Sequence, residues 1–110
     1  MLSIDLIKLF QQYHRMNSFS AIADPTRRRI MESLAQGPLS SGEIAGLFQI
    51  SAPAVSQHLK TLREAGLVQV RIEAQWRIYE LDREGVDKLV AWVSMLSSSE
   101  MASCEIHRHP

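Results

Sequence analysis

A chain of 110 residues, 45% hydrophobic and 22% charged, suits one ordinary globular domain with a single modest core. Its one cysteine, Cys104, excludes an internal disulfide, no apolar run approaches a membrane span, and the N-terminus has no basic start like that of a signal peptide, so a soluble cytoplasmic protein is expected. Formal net charge is zero, yet residues 25–79 carry seven basic and four acidic side chains while residues 80–110 carry three basic and six acidic, so the middle of the chain is the part suited to phosphates.

Leu2, Leu6, Leu9 and Tyr13 recur at helical spacing, with Phe10 alongside, and predict an amphipathic helix over 3–15. Met16-Asn17-Ser18 is a break, and Phe19 to Ala23 reads as a short helical segment. Asp24 can cap a new helix whose first position suits Pro25. That helix covers about 25–36, turns Ile30, Met31 and Leu34 inward and ends at Gly37-Pro38.

Residues 40–66 carry the strongest pattern. Ser40 with Glu43 three residues later is a capping box. The helix it starts has Ile44, Leu47 and Phe48 on its apolar side. Gln49-Ile50 forms a tight turn, Ser51 is a good N-cap, and Pro53 is tolerated in the first turn of the helix that follows. Val55, Leu59 and Leu62 form the buried stripe of this second helix, and Gly66 suits a left-handed stop. This is the layout of a helix-turn-helix whose second helix enters a major groove.

The period changes to two at Leu67. Val68, Val70 and Ile72 alternate with Gln69, Arg71 and Glu73, Ala74-Gln75 is a short connection, and residues 76–81 return as a second strand. Asp82 can cap a last helix with Val86, Leu89, Val90, Val93 and Leu96 as its apolar stripe and Trp92 beside it. Ser97-Ser98-Ser99 weakens that helix, and residues 100–110 read as a flexible tail. The fold class is therefore mainly α with a small β-hairpin: a single winged helix-turn-helix domain over 1–99, with the helix-turn-helix at 40–66 and the wing at 67–81.

With the stripe turned inward, Ser51, Ala52, Ser56, Gln57, Lys60 and Arg63 point outward. Glutamine can bond bidentately to the adenine edge, serine specifies only weakly, and Lys60 and Arg63 suit phosphates. His58 suits a base or a phosphate. A solvated surface helix is the plainer reading of each residue alone. The cap, turn, stop and hairpin together favour DNA contact. Arg71 and Arg77 flank the hairpin tip, where a wing approaches the minor groove or backbone. Trp76 reads as a packing residue between strand and helix, with contact to DNA at the wing tip as the alternative. Arg27-Arg28-Arg29 opposes the dipole at its helix start; either one of them, Arg27 foremost, reaches a phosphate or an acidic neighbour, or the run is a solvated face. Cys104, His107 and His109, with Glu105 nearby, form a possible metal-ligand set in the tail, although a tail without that role is the favoured reading.

Residues 23–30 (Ala-Asp-Pro-Thr-Arg-Arg-Arg-Ile), 51–68 (Ser-Ala-Pro-Ala-Val-Ser-Gln-His-Leu-Lys-Thr-Leu-Arg-Glu-Ala-Gly-Leu-Val) and 77–81 (Arg-Ile-Tyr-Glu-Leu) resemble, in order, the ArsR family of bacterial winged-helix repressors over about residues 16–93. The resemblance implies a homodimer that binds double-stranded DNA at an inverted repeat in a promoter and blocks transcription. It implies a dimer interface from the first and last helices, 1–15 and 82–97, which agrees with the stripes at Leu2, Leu6, Leu9 and Tyr13 and at Val86, Leu89, Val90 and Val93. Many members sense metals through a cysteine pair in the first helix of the motif, where this chain reads Glu43-Ile44-Ala45-Gly46-Leu47. Others use Asp and His along the last helix, where Asp87 stands without a histidine. No metal site and no cofactor are expected; a small-molecule inducer, an oxidant, or no signal beyond concentration all stay open. Two departures touch the DNA face itself: Ala74 stands where a wing-tip glycine is common, and Ala52 where a longer polar residue is common. The competing readings are a winged helix used only for protein assembly and a metal sensor built on the C-terminal Cys/His tail. An enzyme finds no support, because the sequence offers no nucleophile-base pair, phosphate loop or paired carboxylates.

Overall fold

The computed structural model describes the backbone of residues 17–108 and the side chains of residues 17–98. Within that range the order is α1 (Ser18–Ala23), α2 (Pro25–Leu34), β1 (Leu39–Ser40), α3 (Ser41–Phe48), α4 (Ala52–Glu64), β2 (Val68–Glu73), β3 (Trp76–Leu81) and α5 (Arg83–Arg108). The expected helix over 3–15, with Leu2, Leu6, Leu9 and Tyr13, lies outside the described residues.

Local chemistry sets most of the boundaries. The Asp24 carboxylate accepts the Thr26 N–H at 2.7 Å and the Arg27 N–H at 3.3 Å, which caps α2 with Pro25 in its first turn. The capping box closes α3: the Ser40 N–H donates to Glu43 Oε1 at 2.8 Å, and the Glu43 N–H donates to Ser40 Oγ at 3.1 Å. Gln49 adopts a left-handed conformation, φ 52° and ψ 42°, and turns the chain out of α3. Ser51 Oγ then accepts the Ala54 N–H at 3.3 Å and starts α4. At the other end of α4, Gly66 takes φ +77°. Its N–H reaches the Arg63 carbonyl at 2.9 Å, and the Leu67 N–H reaches the Leu62 carbonyl at 3.0 Å, the pairing of a Schellman stop.

The core gathers one side of each element. Ile30, Ile44, Val55, Leu59, Leu62 and Leu67 are fully buried, with Leu34, Val68 and Tyr79 nearly so. Isoleucine at 44 and leucine at 59 and 62 thus fix α3 against α4, and each such aliphatic contributes on the order of 1.5–3 kcal/mol by leaving water. Among the described residues no side-chain N or O is buried without a hydrogen-bond partner, so the core carries no unmet polar cost.

The hairpin is the predicted one, with Val68 opposite Leu81, Val70 opposite Tyr79 and Glu73 opposite Trp76. The sheet, however, has three strands in the order β1-β3-β2. Leu39 pairs with Tyr79 and Ser40 with Ile78, a strand absent from the sequence reading. It matters for the site because Ser40 is also the N-cap of α3, so the base of the wing is tied directly to the start of the helix-turn-helix.

Three placements differ from expectation. Leu47 is exposed rather than inward, because the core lies on the side of Ile44, Ala45 and Phe48. Ile72 is exposed because β2 runs past the edge of the core before it turns. Helix α5 continues to Arg108, into the stretch 100–110 that reads as a tail in the sequence. Serine lowers helix propensity only slightly, and no glycine or proline follows Gly85 before Pro110, so three serines are no stop signal.

Candidate nucleic-acid interface

Helix α4 presents two faces. Val55, Leu59 and Leu62 are at most 1% exposed. Ser51 at its cap and Ala52, Pro53, Ser56, Gln57, Lys60, Arg63 and Glu64 along it are exposed. The recurrence 52/53, 56/57, 60, 63/64 is one side of a helix with 3.6 residues per turn, so these groups form a continuous row. Thr61 Oγ1 donates to the Gln57 carbonyl at 3.1 Å and stays out of that row. Serine, glutamine, lysine and arginine here supply hydrogen bonding near the N-terminal end and cationic charge near the C-terminal end. That gradient fits a helix that enters a groove by its N-terminal end and meets backbone phosphates further along.

The wing supplies a second set. Directly opposed residues of an antiparallel pair share a face, so Gln69, Arg71, Glu73, Trp76, Ile78 and Glu80 line one face, and Val68, Val70, Ile72, Arg77, Tyr79 and Leu81 line the other. Arg71 and Arg77, expected together at the tip, are therefore on opposite faces. Arg71 is engaged: Nε donates to Glu73 Oε2 at 2.6 Å and Nη1 to Glu80 Oε1 at 2.8 Å. The hydrogen bonds that it donates to Glu73 and then Glu80 raise its pKa above its ordinary value. Arg77 is exposed on the core-side face just beyond the core. Trp76, opposite Glu73 at the end of the hairpin, is 57% exposed and not packed between strand and helix.

The arginine run keeps one of its expected contacts, since Arg27 Nη1 lies 3.6 Å from the acidic neighbour Asp24, and adds others. Arg27 Nε donates to the Ala21 carbonyl at 2.6 Å and Nη2 to the Ser20 carbonyl at 3.3 Å. Arg28 Nη1 donates to the Ile22 and Ala23 carbonyls at 2.8 and 3.1 Å. These are carbonyls of α1, which a helix this short cannot pair within itself. The Arg29 guanidinium lies 5.2 Å from the centre of the Phe48 ring and joins α2 to the end of α3. Arg27 is thus an internal brace and not a free cation, and His58, half-buried with Nδ1 at 3.5 Å from Arg27 Nη1, is drawn to the same junction. The sequence held no local sign of this, since the acceptors belong to a different helix.

The apolar stripe of α5 divides. Val86 and Leu89 pack against the core of their own chain, whereas Val90, Val93, Met95 and Leu96 are 45–56% exposed. Trp92 meets Phe19 of α1 edge to face, with ring centres 4.9 Å apart. Among the described residues no group of His, Cys, Asp and Glu is arranged to hold a metal ion, and no helix is long and apolar enough to cross a membrane. The side chains of Cys104 and His107, and all of His109, lie outside the described residues.

A helix-turn-helix, a hairpin tied to its start and an outward polar row on the second helix define a winged helix-turn-helix of the DNA-binding kind. Residues 24–70 match the model of the bacterial regulatory protein arsR family. The HTH-type transcriptional regulator Rv2034 of Mycobacterium tuberculosis is 50% identical over 72 residues, 66% of this chain and 67% of that one. The transcriptional repressor SdpR of Bacillus subtilis is 36% identical over 77 residues, 70% of this chain and 86% of that one. Among solved structures, an ArsR family transcriptional regulator superposes with a TM-score of 0.68 at 25% identity, covering 83% of this chain and 91% of the other. The homodimeric winged helix-turn-helix DNA-binding domain Mb0332 of Mycobacterium bovis, a possible ArsR-family regulator, superposes with a TM-score of 0.64 at 29% identity, covering 84% of this chain and 83% of the other. The chain belongs to the ArsR family of bacterial transcriptional regulators.

Proposed function

We propose that this chain is a homodimeric transcriptional repressor that reads an inverted repeat in a promoter through α4. The observation that carries the reading is the division of that helix, with Val55, Leu59 and Leu62 in the core and Ser51, Ser56, Gln57, Lys60 and Arg63 in one exposed row. Gln57 and the serines meet base edges, Lys60 and Arg63 hold phosphates, and Arg77 at the wing reaches the flanking backbone. The exposed residues Val90, Val93, Met95 and Leu96 support pairing of two copies, which sets the two reading helices about one turn of DNA apart, roughly 34–36 Å. The names of two relatives, a repressor and a homodimeric DNA-binding domain, support the same assignment. The segment Glu43 to Leu47 of α3 has no thiol, which supports regulation without the cysteine metal site that the family resemblance implies for many members.

The test is a footprint on the protein's own promoter, followed by titration over rising salt. Protection of an imperfect palindrome is expected, with log K falling linearly against log salt. Changing Gln57→Ala together with Lys60→Ala is expected to abolish protection. Unchanged protection would remove α4 as the reader, and an intact dimer with no footprint on any duplex would leave a protein-assembly module instead.

A further inference from the structure

Arg27 sits where three helices meet. Its guanidinium binds the carbonyls of Ser20 and Ala21 in α1, lies 3.6 Å from the Asp24 carboxylate that caps its own helix, and faces His58 Nδ1 on α4 at 3.5 Å. The side chain is only 18% exposed. Arginine has donors and no acceptor, so a hydrogen bond between the two groups takes His58 Nδ1 as its acceptor. The same α1 holds Phe19 against Trp92 of α5. A row of contacts therefore runs from the partly exposed α5, through Phe19 and the α1 carbonyls, to Arg27 and His58, beside Gln57 in the exposed row.

We propose that Arg27 is a positioning residue for DNA reading: it acts through His58 to fix the angle of α4 and does not itself touch DNA. The inference rests on the assignment of α4 as the reading helix. The fork geometry is the reason arginine is needed. One planar group must meet the α1 carbonyls and the imidazole at once, which a lysine ammonium cannot do. In a two-fold complex a tilt of α4 is repeated in both half-sites. The cost therefore falls on specific binding, while attraction to phosphates in any duplex is left as it was.

The experiment titrates the full chain with its footprinted promoter duplex and with an unrelated duplex, over a series of KCl concentrations. The proteins are wild type, Arg27→Gln, Arg27→Lys, His58→Ala and the double variant Arg27→Gln/His58→Ala. Each Arg27 variant is expected to bind the promoter about 3- to 30-fold more weakly, the span of mutational effects on coupling. Binding of the unrelated duplex, the active fraction in a stoichiometric titration and the salt slope are expected to hold. Lysine is expected to fare no better than glutamine, and the double variant no worse than Arg27→Gln alone. His58→Ala, which leaves the α1 contacts in place, is expected to lose specific binding with the slope unchanged and carries the test if an Arg27 variant fails to fold. A fall in slope of about 1.8 for a dimer would mark a lost phosphate contact in each protomer and overturn the proposal. So would rescue by lysine, or equal losses on both duplexes. If wild type binds no promoter duplex, the reading-helix assignment falls as well; if wild type binds and the slope or additivity fails, only the role of Arg27 does.

Discussion

Gly85 shows how much one missing carbon decides. A Cβ at this position would run into the carbonyl oxygen of Gly66, with the Gly66 carbonyl carbon at 2.8 Å and Leu67 Cα at 3.5 Å. The start of α5 thus lies directly on the backbone stop of α4, where the Asp82 N–H also donates to the Leu67 carbonyl at 2.9 Å. Alanine is ordinarily favoured over glycine in a helix by about 1 kcal/mol. Here Gly85→Ala is expected to destabilise by about 1–3 kcal/mol, because the obstacle is backbone and cannot swing aside. Urea denaturation checks it; an alanine variant as stable as wild type would mean that α5 does not seat on Gly66. Asp24 has a different signature. Burial opposes its charge, but the N–H groups of Thr26 and Arg27 and the charge of Arg27 outweigh burial and hold the carboxyl below its ordinary 3.8. A lowered folded value means stabilisation that is complete above 3.8 and lost as pH falls through the lower value. Asp24→Asn keeps a capping oxygen but no titrating charge, so its urea midpoint is expected to fall less steeply than that of wild type as pH falls below 3.8.

At the level of elements, what could be read from the chain is what local chemistry writes. Ser40 with Glu43, Ser51 and Gly66 each carry their reason in one or two neighbouring side chains, and the helix-turn-helix followed from them. Strand β1 could not be read, since two residues have no period and its existence depends on Tyr79 and Ile78 far along the chain. The Arg27-Arg28-Arg29 run was legible as charge but not as a brace, because its acceptors are the last carbonyls of α1. Leu47 and Ile72 fit their periods and are still exposed; a period shows that a face exists, not how far the core extends beneath it. The wing turn is a further case. Ala74 adopts φ +56° in the two-residue connection between β2 and β3. A left-handed conformation costs a residue with a Cβ about 1–2 kcal/mol, part of which glycine returns through its freer unfolded chain. Ala74→Gly is accordingly expected to raise stability by about 0.5–1 kcal/mol, measured by thermal melting. A lower melting temperature would show that the turn is held by something other than its own backbone.

At the scale of the whole molecule, the exposed apolar residues on α5 are the largest such group on one element among the described residues. Val90, Val93, Met95 and Leu96 are exposed by about half, next to the Phe19–Trp92 pair. In the proposed homodimer a two-fold partner would cover this face with the same residues. Val86 and Leu89 already serve the core of their own chain, so a charge placed at 93 can break pairing without opening that core. Val93→Asp is expected to shift the protein toward monomer in sedimentation velocity and to remove the rise of melting temperature with protein concentration that a dimer shows. Because each monomer retains α4, it still meets one half-site, but it loses the second set of contacts that the fixed spacing supplies. Binding to the full inverted repeat should therefore drop toward that of a single half-site, while half-site binding by the variant and by wild type should agree. A variant that stays dimeric would move the interface elsewhere on the surface. One that becomes monomeric yet binds the full repeat as tightly as wild type would separate pairing from DNA reading altogether.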